Sequence, residues 1–208
     1  MMMYEYEKKL MNDGKSTITG CDEVGRGPMA GPVVCAAVIL DPEFVIEGLY
    51  DSKALSEKKR ETLYDLIKKH ALAYAVEFVM PEEVDRVNVY QASRLGMERA
   101  VQKLAIPADF ILVDAMQLKG LETPQLSLIK GDQKSASIAA ASILAKVERD
   151  RYMVEIASKY PGYGFEKHKG YPTKHHKETL MALGPCAIHR KTYRPVEQMI
   201  KQQLALEV

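Results

Sequence analysis

Two β-branched runs near the start of the chain, Thr17–Val24 and Val33–Leu40, are joined by a stretch rich in glycine and proline. Each later strand-like run is set off from the next by a stretch with helical periodicity. That alternation admits few architectures, because strands interspersed with helices pack as an α/β sheet with helices laid on it. Ser56 is a suitable N-cap for a helix that runs to about His70 with Leu63, Leu66 and Ile67 on one face, and a strand Ala73–Val79 follows. From Asn88 to Leu104 apolar residues recur at helical spacing, Pro107 ends the pattern, and Phe110–Asp114 reads as a strand. Leu126–Ile129 is a further short strand, and the alanine-rich stretch from Ser135 to about Tyr160 suits a helix pressed against a sheet. At the N-terminus, Met1–Met11 is expected to form a short amphipathic helix stopped by Asn12-Asp13-Gly14.

The 208 residues, 47% of them apolar, suffice for one sizeable core. A single domain over residues 1–208 is therefore expected, with about 161–208 a basic helical extension packed on it. The overall balance of +1 names no partner, so any electrostatic role depends on distribution. Between Lys159 and Arg194 there are eight Lys and Arg against two Glu, together with four of the five histidines, so this segment carries +6 and the remainder −5. Cys21, Cys35 and Cys186 form no CxxC pair and none of the histidines has metal-site spacing, which argues against zinc and for reduced thiols in a cytoplasmic protein. The longest apolar stretch, Val33–Leu40, is far below membrane-spanning length, and the absence of a long heptad pattern leads us to expect a monomer without membrane association.

Carboxylates recur at the ends of the apolar runs: Asp22-Glu23 after the first, Asp114 closing Phe110–Asp114, and Asp132 in Lys130-Gly131-Asp132. Any one of them could simply begin a solvated turn. In an α/β sheet, however, the crevice beyond the strand ends is where ligands gather, so acids distant in sequence can meet there. Left alone they would repel and their pKa values would rise. Hard divalent cations relieve that repulsion, and two ions about 3.5–4 Å apart suit in-line attack on a phosphodiester. Adjacent residues on a regular strand face opposite ways, so Asp22 and Glu23 are expected to share a site only if the strand bends or ends there, as Gly25 and Gly27 would permit.

The stretch DEVGRGPMAGPVV resembles the signature of the type 2 ribonucleases H, the ribonuclease HII family, in which an Asp-Glu pair precedes a Gly-Arg-Gly loop. Similar blocks follow in the family's order: Asp51-Ser52-Lys53-Ala54-Leu55-Ser56, Asn88 with Gln91-Ala92-Ser93, Leu112-Val113-Asp114, Lys130-Gly131-Asp132, the run from Ser137 to Lys146, and Gly170-Tyr171. The resemblance implies a ribonuclease H-like fold, a five-stranded mixed sheet flanked by helices with a C-terminal helical segment. It implies an endoribonuclease that hydrolyses the RNA strand of RNA–DNA hybrids and incises 5′ of ribonucleotides embedded in duplex DNA, leaving 5′-phosphate and 3′-hydroxyl ends, in ribonucleotide removal and RNA primer processing. Asp22, Glu23, Asp114 and Asp132 are implied as catalytic and metal-binding residues, holding two Mn²⁺ or Mg²⁺ ions. Gly25, Arg26 and Gly27 are implied in recognition of the ribonucleotide 2′-hydroxyl, and Tyr171 in packing on the following sugar.

Lys53, and the basic run Lys167-His168-Lys169 with Lys174, His175 and His176, are expected to neutralise backbone phosphates. Lys146 is expected at the rim of the carboxylates, and Asp150, within Glu148-Arg149-Asp150-Arg151, to serve the helix rather than the site. Two positions depart from the pattern: Ala115 and Pro172 stand where glycine is frequent, which touches loop geometry and not the functional side chains. Two other readings of the acids and the basic segment stay open on sequence alone, a nuclease of the same broad fold acting on junction DNA and a metal-free binding module for hybrids.

Overall fold

The computed structural model describes residues 3–206. Along the chain run α1 (Glu5–Asn12), β1 (Ile18–Val24), β2 (Val33–Leu40), α2 (Glu57–His70), β3 (Ala71–Val79), α3 (Pro81–Val87), α4 (Val89–Gln102), β4 (Phe110–Asp114), β5 (Gln125–Leu128), a 3₁₀ turn (Gly131–Gln133), α5 (Ala136–Ala157), α6 (Phe165–His168), α7 (Lys174–Leu183) and α8 (Arg194–Leu206). The expected N-terminal helix begins at Glu5, and Met1 and Met2 of the predicted span lie outside the described residues.

The five strands form one sheet in the order β3-β2-β1-β4-β5, antiparallel across β3-β2-β1 and parallel across β1-β4-β5. The pleat sorts its two faces residue by residue. Val34, Ala36, Val38 and Leu40 of β2 turn with Val24 toward α2 and α5. Val33, Cys35, Ala37 and Ile39 turn with Cys21, Ile111 and Val113 toward α4. Ser56, Asn88 and Ser135 cap α2, α4 and α5 by accepting the N–H three residues on. Helix α5 lies hard against the central strand, since a Cβ on Gly20 of β1 would fall 2.0 Å from the carbonyl carbon of Ser137.

Sequence patterning passed over α3, whose proline sits in the first helical turn. The expected basic helical segment is built of three helices, α6, α7 and α8. Two of them pack through Leu180 and Val196 against Met29, the residue that follows the arginine loop and its proline.

Candidate active site

The parallel pairing of β1 with β4 places the first acids. Its last rung is Cys21↔Val113, so Asp22 and Asp114 leave the ladder side by side. By the alternation of the pleat both belong to the α5 face, where Ser142 of α5 supports the Asp22 carboxylate. Ser142 in turn is held by Ser52, Oγ to Oγ 2.9 Å, which ties the Asp51–Lys53 loop to the strand end. The polypeptide after β5 then returns beneath β4. The Gly131 N–H donates to Asp114 Oδ1 at 2.6 Å, and this sets Asp132 in the 3₁₀ turn beside the same carboxylate. The turn is also linked to Asp51, whose Oδ2 accepts from Gln133 Nε2 at 3.3 Å.

The strand does not end at the Asp-Glu pair: β1 stays paired with β2 through Glu23↔Cys35 and Val24↔Val34. The sequence condition for the two acids to share a site, a bend or a strand end, is met differently. Past Cys21 only the β4 side of the ladder stops, and the opening left beyond Asp114 lets Glu23, on the α4 face, reach the same cavity from the other side of the sheet. That cavity, about 540 Å³ and open to solvent, is lined by Glu23, Gly25, Arg26, Gly27, Lys53, Asp114 and Tyr171. Asp22 is buried behind it.

The electrostatics register this crowding. Burial, then the charges of Glu23 and Asp114, push the Asp22 carboxyl far above its usual range. Burial raises Glu23 to about 7; Arg26 opposes the rise and Asp114 adds to it. Burial, followed by Asp51 and Asp114, raises Asp132 to about 6, with Lys53 opposing. Asp114 is thus the charge that Asp22, Glu23 and Asp132 all face. Among the described residues no three His, Cys, Asp or Glu side chains are drawn close enough to hold an ion as they stand. The donor set nonetheless fits hard divalent ions: carboxylate oxygens, mutually repelling, at the rim of a cavity open to solvent.

Gly25 follows β1 with φ +98°, and a Cβ there would lie 2.3 Å from Arg149 Nε and 2.8 Å from the Pro32 carbonyl. The loop it opens rests on two fully buried arginines. Arg190 donates to the carbonyls of Gly25 (2.7 Å), Arg26 (3.1 Å) and Gly31 (3.0 Å). Arg149 donates to Pro32 (3.0 Å) and Ala30 (3.2 Å) and keeps one buried nitrogen, Nη1, without a partner. With the Gly25 and Arg26 carbonyls turned onto Arg190, planar trans peptides turn the N–H groups of Arg26 and Gly27 the opposite way, toward the cavity they line. Opposite them the Tyr171 ring stands 3.7 Å from where a Gly27 Cβ would be, and Arg149 lies 5.8 Å from its centroid. Arg149 and Arg190 were not legible as parts of the site, since a sequence gives no sign that an arginine in a charged stretch will be buried against carbonyls.

Two expectations are corrected. Lys146 does not stand at the carboxylates but pairs with Asp150 one helical turn on, at 2.8 Å. His176 is fully buried and bonded within the protein, so it is no phosphate contact. Ala115, expected to alter the exit from the strand, leaves it at φ +45°, the left-handed conformation that glycine adopts freely and alanine only at a cost. Lys53 and Tyr171 do line the cavity with Glu23 and Asp114, and Lys167 and Lys174 are exposed.

Comparison with known proteins matches residues 19–196 to the family model for ribonuclease HII. The chain is 55% identical over 195 residues to ribonuclease HII of Bacillus subtilis, covering 94% of this chain and 76% of that one. To ribonuclease HII of Caldicellulosiruptor bescii it is 53% identical over 190 residues, covering 91% and 92%. Among solved structures it superposes on ribonuclease H2 of Pyrococcus horikoshii with a TM-score of 0.77 at 27% identity, over 90% of this chain and 98% of that one.

Proposed function

The chain belongs to the ribonuclease HII family of ribonuclease H hydrolases, and from that premise we propose that its carboxylate cavity incises duplex DNA on the 5′ side of an embedded ribonucleotide as well as the RNA strand of hybrids. The observation that carries the reading is the meeting of an acid cluster around Asp114 with the Gly25–Gly27 loop and Tyr171 in one cavity. Asp22, Glu23, Asp114 and Asp132 would hold Mn²⁺ or Mg²⁺, and a bound pair would supply activation of the attacking water and stabilisation of the leaving 3′-oxygen.

The protein's own groups do the remainder. The outward N–H groups of Arg26 and Gly27 offer donors to the 2′-hydroxyl, the group that distinguishes RNA from DNA, and backbone donors make that choice independent of the base. Tyr171, about a third exposed, offers its ring face to the next sugar, which is deoxyribose at a DNA junction. Lys53 stands between Glu23 and Asp132, partly offsetting both, and is free to meet a backbone phosphate. Hydrolysis leaves the phosphate on the 5′ end and a 3′-hydroxyl.

The test is a DNA duplex with one ribonucleotide, incubated with Mn²⁺, with Mg²⁺ and with excess chelator. Incision 5′ of the ribonucleotide is expected with the ions and none with chelator, and none when that sugar is deoxyribose. Cleavage that survives the chelator, or that ignores the sugar, would overturn the proposal.

A further inference from the structure

Beyond α5 the chain wraps the buried ring of Phe165, and three imidazoles close on it, with centroids 5.7 Å (His168), 5.3 Å (His176) and 5.7 Å (His189) away. Their partners fix where each hydrogen lies. A backbone N–H can only donate, so the Cys186 N–H, 3.0 Å from His189 Nδ1, makes that nitrogen an acceptor and leaves the hydrogen of the neutral ring on Nε2. That hydrogen meets His176 Nε2 at 3.1 Å, which must therefore be bare. The hydrogen of His176 is then on Nδ1, which donates to the Tyr171 carbonyl at 2.9 Å. The same reasoning holds for His168, whose Nδ1 accepts from the Gly170 N–H (3.2 Å) and whose Nε2 donates to the Tyr163 carbonyl (2.7 Å). Its ring stacks on His176 at 4.2 Å and 13°.

We propose that His189 and His176 form a one-way hydrogen-bond relay that positions Tyr171 against the arginine loop, acting on the bound sugar through that tyrosine. This rests on the role given to Tyr171 above. The relay starts on the segment that carries the loop's other supports: His189 bridges to Ala30, Ile188 accepts from the Gly31 N–H at 2.9 Å, and the Arg190 N–H donates to Met29 at 2.9 Å. It ends on the tyrosine, whose neighbour Gly170 accepts from the Met29 N–H at 3.0 Å. The distance between Gly27 and the Tyr171 ring is thereby set through two buried histidines.

The relay has places for two hydrogens only. A third would set N–H against N–H, at Cys186 or between the two Nε2 atoms. The groups facing it are the rings of His168, Tyr163 and Phe165, the Cys186 thiol at 3.2 Å from His189 Nδ1, and, across the cavity beside His189, Glu82, Asp85 and Lys191. Burial holds both rings neutral to about pH 4.

The full chain labelled with ¹⁵N-histidine, read by long-range ¹H–¹⁵N correlation at pH 7, should show His189 only as the Nε2–H tautomer and His176 only as the Nδ1–H tautomer. A charged ring or the opposite tautomer at either site would overturn the relay while leaving the tyrosine's role standing. In steady-state cleavage of the single-ribonucleotide duplex, His176→Leu should raise KM about fivefold to tenfold, the size of one lost hydrogen bond, with little change in kcat. His176→Asn, which keeps a nitrogen donor in the place of Nδ1, should stay within about twofold of the parent. In a Tyr171→Ala background, itself raised in KM, His176→Leu should add nothing. An unchanged KM for His176→Leu, or equal damage from His176→Asn, refutes the positioning; an unchanged KM for Tyr171→Ala refutes the role of the tyrosine and with it the purpose of the relay. Should His176→Leu fail to fold, the tautomers of the unaltered protein and the Asn variant decide the matter.

Discussion

Replacing Asp114 by asparagine is expected to abolish cleavage and at the same time to stabilise the metal-free protein. Glu23 titrates at about 7 against an ordinary 4.5, and Asp132 at about 6 against 3.8. Each pH unit of such displacement corresponds to about 1.4 kcal/mol. Burial is the largest cause at both, so the part due to Asp114 is a minor share at Glu23 and smaller still at Asp132, which water screens. Together these make about 1–2 kcal/mol, and Asp22 adds in the same direction. The amide retains an oxygen for the Gly131 N–H, so the turn that carries Asp132 is kept. The sign follows from the raised values. At about pH 4.5 Glu23 and Asp132 are protonated in the folded protein and add no charge to the cluster, and the penalty grows as pH rises through 6 and 7 until both are charged. Scanning calorimetry in EDTA should therefore show Asp114→Asn melting about 2–8 °C above the parent at pH 8, at roughly 2–4 °C per kcal/mol for a chain of this size, and no higher at pH 4.5. An equal gain at both pH values, or a loss at pH 8, would show that the acids do not share a field.

Four further outcomes follow from the same geometry. Ala115→Gly relieves a left-handed alanine at φ +45° and, after the extra freedom of glycine in the unfolded chain, should add about 0.5–1 kcal/mol in urea titration with activity kept. Gly20→Ala forces a Cβ to within 2.0 Å of the Ser137 carbonyl carbon, a backbone atom that cannot rotate away, so circular dichroism should report a chain that does not reach the native state. Arg190→Lys replaces a guanidinium that spans three loop carbonyls with one ammonium, and should cost about 2–4 kcal/mol in thermal unfolding while raising KM. Mn²⁺ affinity by calorimetric titration should strengthen from pH 5.5 to pH 8, because protons leave Asp132 near 6 and Glu23 near 7; a flat profile would place the ion elsewhere.

The strands were legible because their signal is local: the β-branched runs gave Val33–Leu40 to the residue and Thr17–Val24 to within one, and Ser56 announced the helix after it by capping. The order of the strands was not, because nothing in Phe110–Asp114 says that it lies parallel to Ile18–Val24, and only that pairing brings Asp114 beside Asp22. In the basic segment the sequence pattern failed for a different reason. Lysine and histidine there look alike as cations, yet Lys174 is exposed while His176 and His189 fill the core around Phe165, where a neutral imidazole can donate from one nitrogen and accept at the other and an ammonium can only donate.

The two buried arginines expose the logic of the site. Carboxylates and guanidiniums lie on either side of one strand end, and the economical fold would pair them. Instead, among the described residues, neither Arg149 nor Arg190 forms an ion pair; both donate to carbonyls of Gly25–Pro32, Arg190 also to the Tyr193 hydroxyl, and only the exposed Arg26 reaches Glu23, at 3.5 Å. Burial lowers the Arg149 pKa to about 10, which still leaves it charged at neutral pH. The segregation leaves the negative charge around Asp114 only partly offset, by Arg26 and Lys53, and the buried positive charge beneath the loop without an acid partner. On the function proposed above, a phosphodiester with its attendant cations would meet both needs at once, whereas ion pairs between Arg149 or Arg190 and the acids would have removed the reason for either to bind.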